Sequence, residues 1–166
     1  QFVQSLKKTG YAPKMLAISG APSVAEFGEM LGSDADGVIA TTQWMRDGGI
    51  PGSFDFGYRY RERYGRYPSY NAAGGYAAGQ ILEAAARLAQ VNISMEPQAI
   101  RDGVRDELAK MKFQSLLGSY RVEDDGEQSG NPIYVVQWQW PYRSLIAPED
   151  IARWTLKFPF PAWSGR

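Results

Sequence analysis

Cysteine and histidine are both absent from the 166 residues. Their absence removes thiolate nucleophiles, disulfides, Cys/His zinc sites and every catalytic triad whose base is an imidazole. It also suits a chain that folds in an oxidising compartment, without requiring one. An excess of either charge is lacking too: eighteen Lys and Arg balance eighteen Asp and Glu. The net field therefore offers neither a polyanion-seeking surface nor an acidic tail. No apolar run approaches the roughly 20 residues that span a bilayer, and the opening Gln1-Phe2-Val3-Gln4-Ser5-Leu6 lacks the basic-then-apolar plan of a signal peptide. Internal repeats and low-complexity segments are missing. What is present is a chain 44% hydrophobic, enough for one respectable core.

The elements follow from spacing. Phe2, Val3 and Leu6, then Lys7-Lys8 and Gly10, read as the end of a helix, so the chain is expected to open inside an element. Lys14 to Ile18 reads as a buried strand followed by the tight loop Ser19-Gly20-Ala21-Pro22. Ser23 and Glu26 have capping-box spacing, which predicts a helix ending near Gly32. Gly37-Val-Ile-Ala-Thr-Thr42 is a β-branched strand, and the order helix, strand, helix, strand predicts an α/β layer with parallel strands. Two strands are too few for such a sheet, so partners are expected upstream or in another chain.

Arg46 to Gly52 reads as a loop. Ser53 is a candidate cap for a helix through Tyr64, on which Phe56, Tyr60 and Tyr64 form one stripe that Gly65 ends. From the cap Ser69, Tyr70, Ala73, Ala77, Ile81, Ala84 and Leu88 recur at helical period. Ser94 to Leu108 carries Pro97 in its first turn, where a missing N–H costs little. After Gly118 the period becomes alternating, and Tyr120-Val122 with Ile133–Trp138 reads as a hairpin around a polar turn. From Pro141 onward the chain is too proline-rich for a long regular element and is expected to wrap a surface.

Several motifs invite sharper chemistry and do not sustain it. Tyr58 to Tyr67 interleaves arginine with aromatics as single-strand binders do. Helical spacing separates the two sets, however, and predicts buried tyrosines beside solvated arginines, so no nucleic-acid partner is expected. Asp124-Asp125-Gly126 lacks the alternating acids of a calcium loop, and Gly74 to Gly79 lacks the Lys-Ser/Thr of a phosphate loop. No catalytic residue, metal-ligand set or cofactor site is therefore assigned.

The string Phe56-x-x-x-Tyr60-x-x-x-Tyr64-Gly65-x-x-Pro68-x-Tyr70-x-Ala-Ala-x-Gly-Tyr76 resembles part of the type I periplasmic solute-binding proteins of ABC transporters, the Leu/Ile/Val-binding family. Three further segments resemble it in order: Gly37 to Trp44 a hinge crossing, Glu96-Pro-Gln-Ala-Ile-Arg-Asp102 a helix, and Gly118 to Trp138 the final hairpin. The Ala162-Trp163 end also resembles members. The resemblance covers nearly all of this chain and roughly the carboxyl-terminal half of a member. It implies a portion of a two-lobed α/β clamp, the periplasmic-binding-protein-like I fold, that closes on a solute by hinge bending. On that map residues 1–36 belong to the second lobe and 37–52 to a hinge crossing and loop. Residues 53–117 are helices of the first lobe, 118–140 a crossing and hairpin of the second, and 141–166 the tail.

The implied function is extracytoplasmic capture of a small solute for an ABC permease, with an amino-terminal half and signal peptide upstream. A sensor or regulator domain of the same fold is the alternative, and an enzyme the third. Gln43 and Trp44 follow the carboxyl end of a strand, where open α/β sheets bind ligands, and an indole can cover an apolar or planar solute. Tyr70 stands at a helix N-terminus beside Asn71, where hydroxyl, amide and backbone N–H groups suit an anion. Ser19, Gly20 and Ala21 form the loop that resembles the family's second-lobe contact, in which amino-acid binders place an acid against the ligand's ammonium. No acid occupies it here, which shifts the expected solute from an α-amino acid toward a carboxylate, amide or aromatic compound.

Overall fold

Apolar period sets the elements, and the computed structural model describes residues 1–165 of them; Arg166, the last residue of the expected tail, lies outside the described residues. In chain order they are α1 (Phe2–Thr9), β1 (Leu16–Ala17), a 3-10 turn (Ala21–Ser23), α2 (Ala25–Leu31), β2 (Val38–Thr42), α3 (Ser53–Tyr64), α4 (Tyr70–Leu88), α5 (Pro97–Lys110), β3 (Phe113–Ser115), β4 (Gly118–Val122), β5 (Gln128–Ser129), β6 (Tyr134–Gln139) and β7 (Tyr142–Ala147). They group into two units. The first joins Gln1–Gly49 to the chain from Ile133 onward, and the second is Ile50–Pro132.

In the first unit β1 and β2 run parallel, with Leu16 opposite Val38 and Ala17 opposite Ile39. The sheet is completed by β6 and β7 in the order β1-β2-β6-β7, both new contacts antiparallel. Because side chains alternate across a strand, Trp138 and Val136 share a face with Val38 and Ala40, while Gln137 and Gln139 point to the other. Val3, Leu16, Ala35, Val38, Trp138 and Phe160 form the core, with Phe27 and Leu31 of α2 packed against it. Gly28 lets α2 approach the Trp138 ring, since a Cβ there would lie 2.1 Å from Trp138 Cζ3.

In the second unit Ser69 caps α4 by accepting a hydrogen bond from the Ala72 N–H at 3.3 Å. Ser69→Ala is expected to cost about 1 kcal/mol, the usual worth of such a cap, measured as a lower urea midpoint at unchanged slope. Gly65 ends α3 in the left-handed conformation (φ 72°), its N–H donating to Arg61 O at 2.8 Å. The strands β3, β4 and β5 form a separate antiparallel sheet. It is tied to the helices where Tyr120 Oη donates to Leu108 O at 2.9 Å and Leu116 N–H donates to Gln80 Oε1 at 2.9 Å.

Several expectations change. The hairpin between Tyr120-Val122 and Ile133–Trp138 does not form: β4 pairs with β3 and β5, and β6 with β2 and β7. Residues 118–132 accordingly group with the second unit and 37–49 with the first. The tail contains a strand after all. β7 sits between Pro141 and Pro148, which flank it where their missing N–H groups interrupt no ladder. The Ser23 capping box is not used, because α2 starts later with Val24 at its N-cap and Ser23 Oγ donates to Thr41 O instead. Gly52, not Ser53, occupies the N-cap of α3. Finally, Tyr58 and Tyr64 are 54% and 57% exposed rather than buried. The rings satisfy one another, with Phe56–Tyr60–Tyr64 stacked in series, Phe56 against Tyr76 at 4.8 Å, and Arg61 over Tyr67.

Candidate functional site

Two loops leave the carboxyl ends of the adjacent parallel strands β1 and β2, the place where open α/β sheets put ligands. The strands fix where the loops begin. The Ile18 N–H donates to Ile39 O at 2.9 Å, and the chain then turns outward through Ser19, Gly20 and Ala21, all exposed. Gly20 turns with φ 77°, a conformation an L side chain resists. Immediately afterwards Pro22 and Ser23 are buried, so the exposed turn stands on a fixed base.

That base is held from afar. Trp138 Nε1 donates to Pro22 O at 2.8 Å, Ser23 Oγ donates to Thr41 O at 2.5 Å, and the Arg143 guanidinium donates to Ser23 O. In the second loop Thr42 Oγ1 donates to Trp44 O at 3.1 Å, and Tyr134 Oη donates to Gly48 O at 3.1 Å. Gln43 presents its amide to solvent, whereas Trp44 is only 2% exposed and contributes its indole to the packed base of the loop.

The structure thus brings Ser19, Gly20 and Ala21 into the loop beside the one that carries Gln43 and Trp44. Tyr70 belongs to the second unit, where it is the half-buried first residue of α4 beside exposed Asn71. The N-terminus of that helix is already partly satisfied, since Ser69 takes the Ala72 N–H.

No carboxylate lies among Ser19–Ala21 or at Gln43 and Trp44. A charge at the base of the first loop is Arg143, which donates to Ser23 O. Burial lowers the pKa of its guanidinium, and the negative charges of Asp47 and Glu26 act in the opposite sense. Burial likewise raises the Tyr134 phenol, which remains a neutral donor at pH 7. Among the described residues no group of three or more acidic side chains is placed to hold a metal ion. The second unit carries an open groove of about 490 Å³ lined by Lys112, Phe113, Gln114, Tyr120 and Arg121 among others. Its Arg121 is engaged internally, by Ser129 Oγ at 2.9 Å and Glu123 at 2.7 Å.

Sequence reasoning missed the anchors Ser23, Tyr134, Trp138 and Arg143. One signal was available: Arg143 is a single cation in a run, Tyr142–Ala147, whose neighbours Ser144 and Leu145 are buried.

The chain belongs to the periplasmic binding protein family, whose model matches residues 1–143. Its fold is that of the type I class. A Silicibacter pomeroyi protein described as a branched-chain amino acid ABC transporter superposes with a TM-score of 0.75 at 20% identity, over 95% of this chain and 43% of that one. A leucine-binding protein from Thermotoga maritima gives 0.69 at 20% identity, over 90% and 41%. An extracellular ligand-binding receptor from Rhodopseudomonas palustris gives 0.73 at 17%, over 87% and 44%. At such identities the likeness is one of fold, and the chain spans less than half the length of each. No helix among the described residues is long and apolar enough to cross a membrane.

Proposed function

We propose that this chain is the solute-binding portion of an extracytoplasmic component of an ABC-type uptake transporter, capturing a small polar or aromatic solute at the loops that follow β1 and β2. The observation that carries the reading is the pairing of family membership over residues 1–143 with two fixed-base loops at adjacent parallel strand ends. Ser19, Gly20 and Ala21 offer a hydroxyl and backbone groups, and Gln43 a carboxamide that both donates and accepts. Such a set recognises carboxylates and amides by hydrogen bonding. It holds no acid to pair with an ammonium group, so solutes without an α-amine fit it better than the leucine bound by the Thermotoga relative. The partners of this function are the solute, the rest of a two-lobed protein and a membrane permease, and membership of the family supports a location outside the cytoplasm. No bond-making step is assigned to these residues.

A binding protein gains stability from its solute by RT ln(1 + [L]/Kd), about 2.7 kcal/mol at a hundredfold excess over Kd. The protein, with whatever sequence flanks this chain in its gene, is expected to melt several degrees higher with at least one of benzoate, benzamide, short dicarboxylates or L-leucine. The aromatic acid or amide should exceed leucine. A flat response to all of them contradicts the reading.

A further inference from the structure

We infer that the exposed segment Trp154–Phe158 is a pairing edge for a second copy of this chain, which docks through the same segment, antiparallel about Leu156. The inference stands apart from the solute reading. Its basis is the way the segment is held. Gln139 Nε2 donates to Thr155 O at 2.7 Å, and Gln137 donates to Lys157 O at 2.9 Å while accepting from the Lys157 N–H at 2.8 Å. Two glutamines two residues apart on β6 thus hold, in reverse order, two residues two apart in the segment, a match of spacing that requires extended backbone. Phe160 fixes the far end, buried in the core with its N–H donating to Lys14 O at 2.8 Å.

Alternate residues of an extended chain turn their N–H and C=O groups to opposite sides. Thr155 and Lys157 face the glutamines, so Trp154, Leu156 and Phe158 turn their backbone groups away, and none of these three makes a backbone hydrogen bond among the described residues. Such an edge is a template for another strand. The same three residues carry large apolar side chains that are 49%, 46% and 62% exposed. One exposed apolar side chain means little, whereas three in register on an open edge mark a contact surface. Lys157, the residue whose charge could guard the edge, has its ammonium on Asp36 at 3.4 Å.

The order of residues selects the occupant. Paired antiparallel about Leu156, the segment meets itself: Leu156 lies opposite Leu156 of the second copy and Trp154 opposite its Phe158, so both copies use one patch, as a twofold contact demands. Apolar cross-strand pairs of this kind are favourable, and Lys157 falls opposite Thr155 and Arg153 opposite Pro159, so no like charges meet. A lipid surface would accept the side chains and leave the open backbone edge unsatisfied, which favours a strand as the occupant.

Sedimentation velocity over a concentration series, on the protein with whatever sequence flanks this chain in its gene, tests the pairing. A concentration-dependent dimer is expected. Leu156→Lys and Leu156→Glu each set like charges face to face at the twofold and should weaken it by about tenfold or more, with the melting temperature unchanged. An equal mixture of the two variants should restore it, because lysine then faces glutamate. Should either variant fail to fold, amide exchange of the wild type decides: the Trp154, Leu156 and Phe158 amides should slow as concentration rises. A wild type that is monomeric throughout, a dimer that survives both substitutions, a mixture that does not re-form it, or exchange at those amides indifferent to concentration would overturn the inference. So would a wild-type monomer that floats with phosphatidylglycerol vesicles, which would assign the ridge to a membrane surface.

Discussion

Gly28→Ala is expected to destabilise the first unit by about 3 kcal/mol, at the upper end of the usual cost of overpacking a core. The sign is informative. Within a helix, alanine is ordinarily the better residue by roughly 1 kcal/mol, so intrinsic preference alone predicts a gain. Here the added Cβ would lie 2.1 Å from Cζ3 and 2.3 Å from Cη2 of Trp138, well inside contact distance. The ring cannot simply retreat, because its Nε1 is committed to Pro22 O and its body to the core beneath α2. Either α2 lifts, exposing Phe27 and Leu31, or the indole moves and the base of the first loop loses its anchor. Urea unfolding followed by tryptophan fluorescence should show the midpoint fall. An unchanged or higher midpoint would mean that α2 does not pack on Trp138 as described.

Gln137→Leu should release the carboxyl-terminal segment. Gln137 is 1% exposed, and its carboxamide closes a two-bond ring with the Lys157 backbone, accepting from the N–H at 2.8 Å and donating to the carbonyl at 2.9 Å. The same amide also donates to Gly37 O and accepts from Gln139 Nε2. Leucine matches the volume and none of the bonds, removing the Gln137 partner of Gly37 O and of the Lys157 N–H and carbonyl, a loss of about 2–3 kcal/mol. Trypsin at Lys157 reads the result directly. If opening is fast relative to cleavage, 2 kcal/mol corresponds to about thirtyfold faster cutting there. Equal rates in wild type and Gln137→Leu would show that the tail is held by its other contacts, among them the Gln139 Nε2 bond to Thr155 O at 2.7 Å and Phe160, which is buried in the core and whose N–H donates to Lys14 O at 2.8 Å.

How far the sequence could be read depended on the range of the interactions. The helix Tyr70–Leu88 was legible end to end, because its cap, its period and its small-residue face are all local. So was α3, with Gly65 as its stop. The strand at Gly37–Thr42 was legible from β-branching. The pairing of β6 was not legible. Its alternation of Val136 and Trp138 with Gln137 and Gln139 signals one buried face, yet both faces are buried, since a segment twenty residues later satisfies the glutamines. β3 has three residues, too short for any period to show. The supports of the candidate loops were not legible: Trp138 and Arg143 act across 116 and 120 residues of sequence, and no local pattern announces a partner that distant.

The measurement that bears most directly on the central claim is a hydrogen-exchange footprint with and without whichever panel solute raises the melting temperature most. Solute capture at the ends of β1 and β2 predicts slowed exchange concentrated at residues 18–24 and 43–48. Protection that leaves both loops untouched, or that gathers instead around Lys112–Arg121, would contradict it.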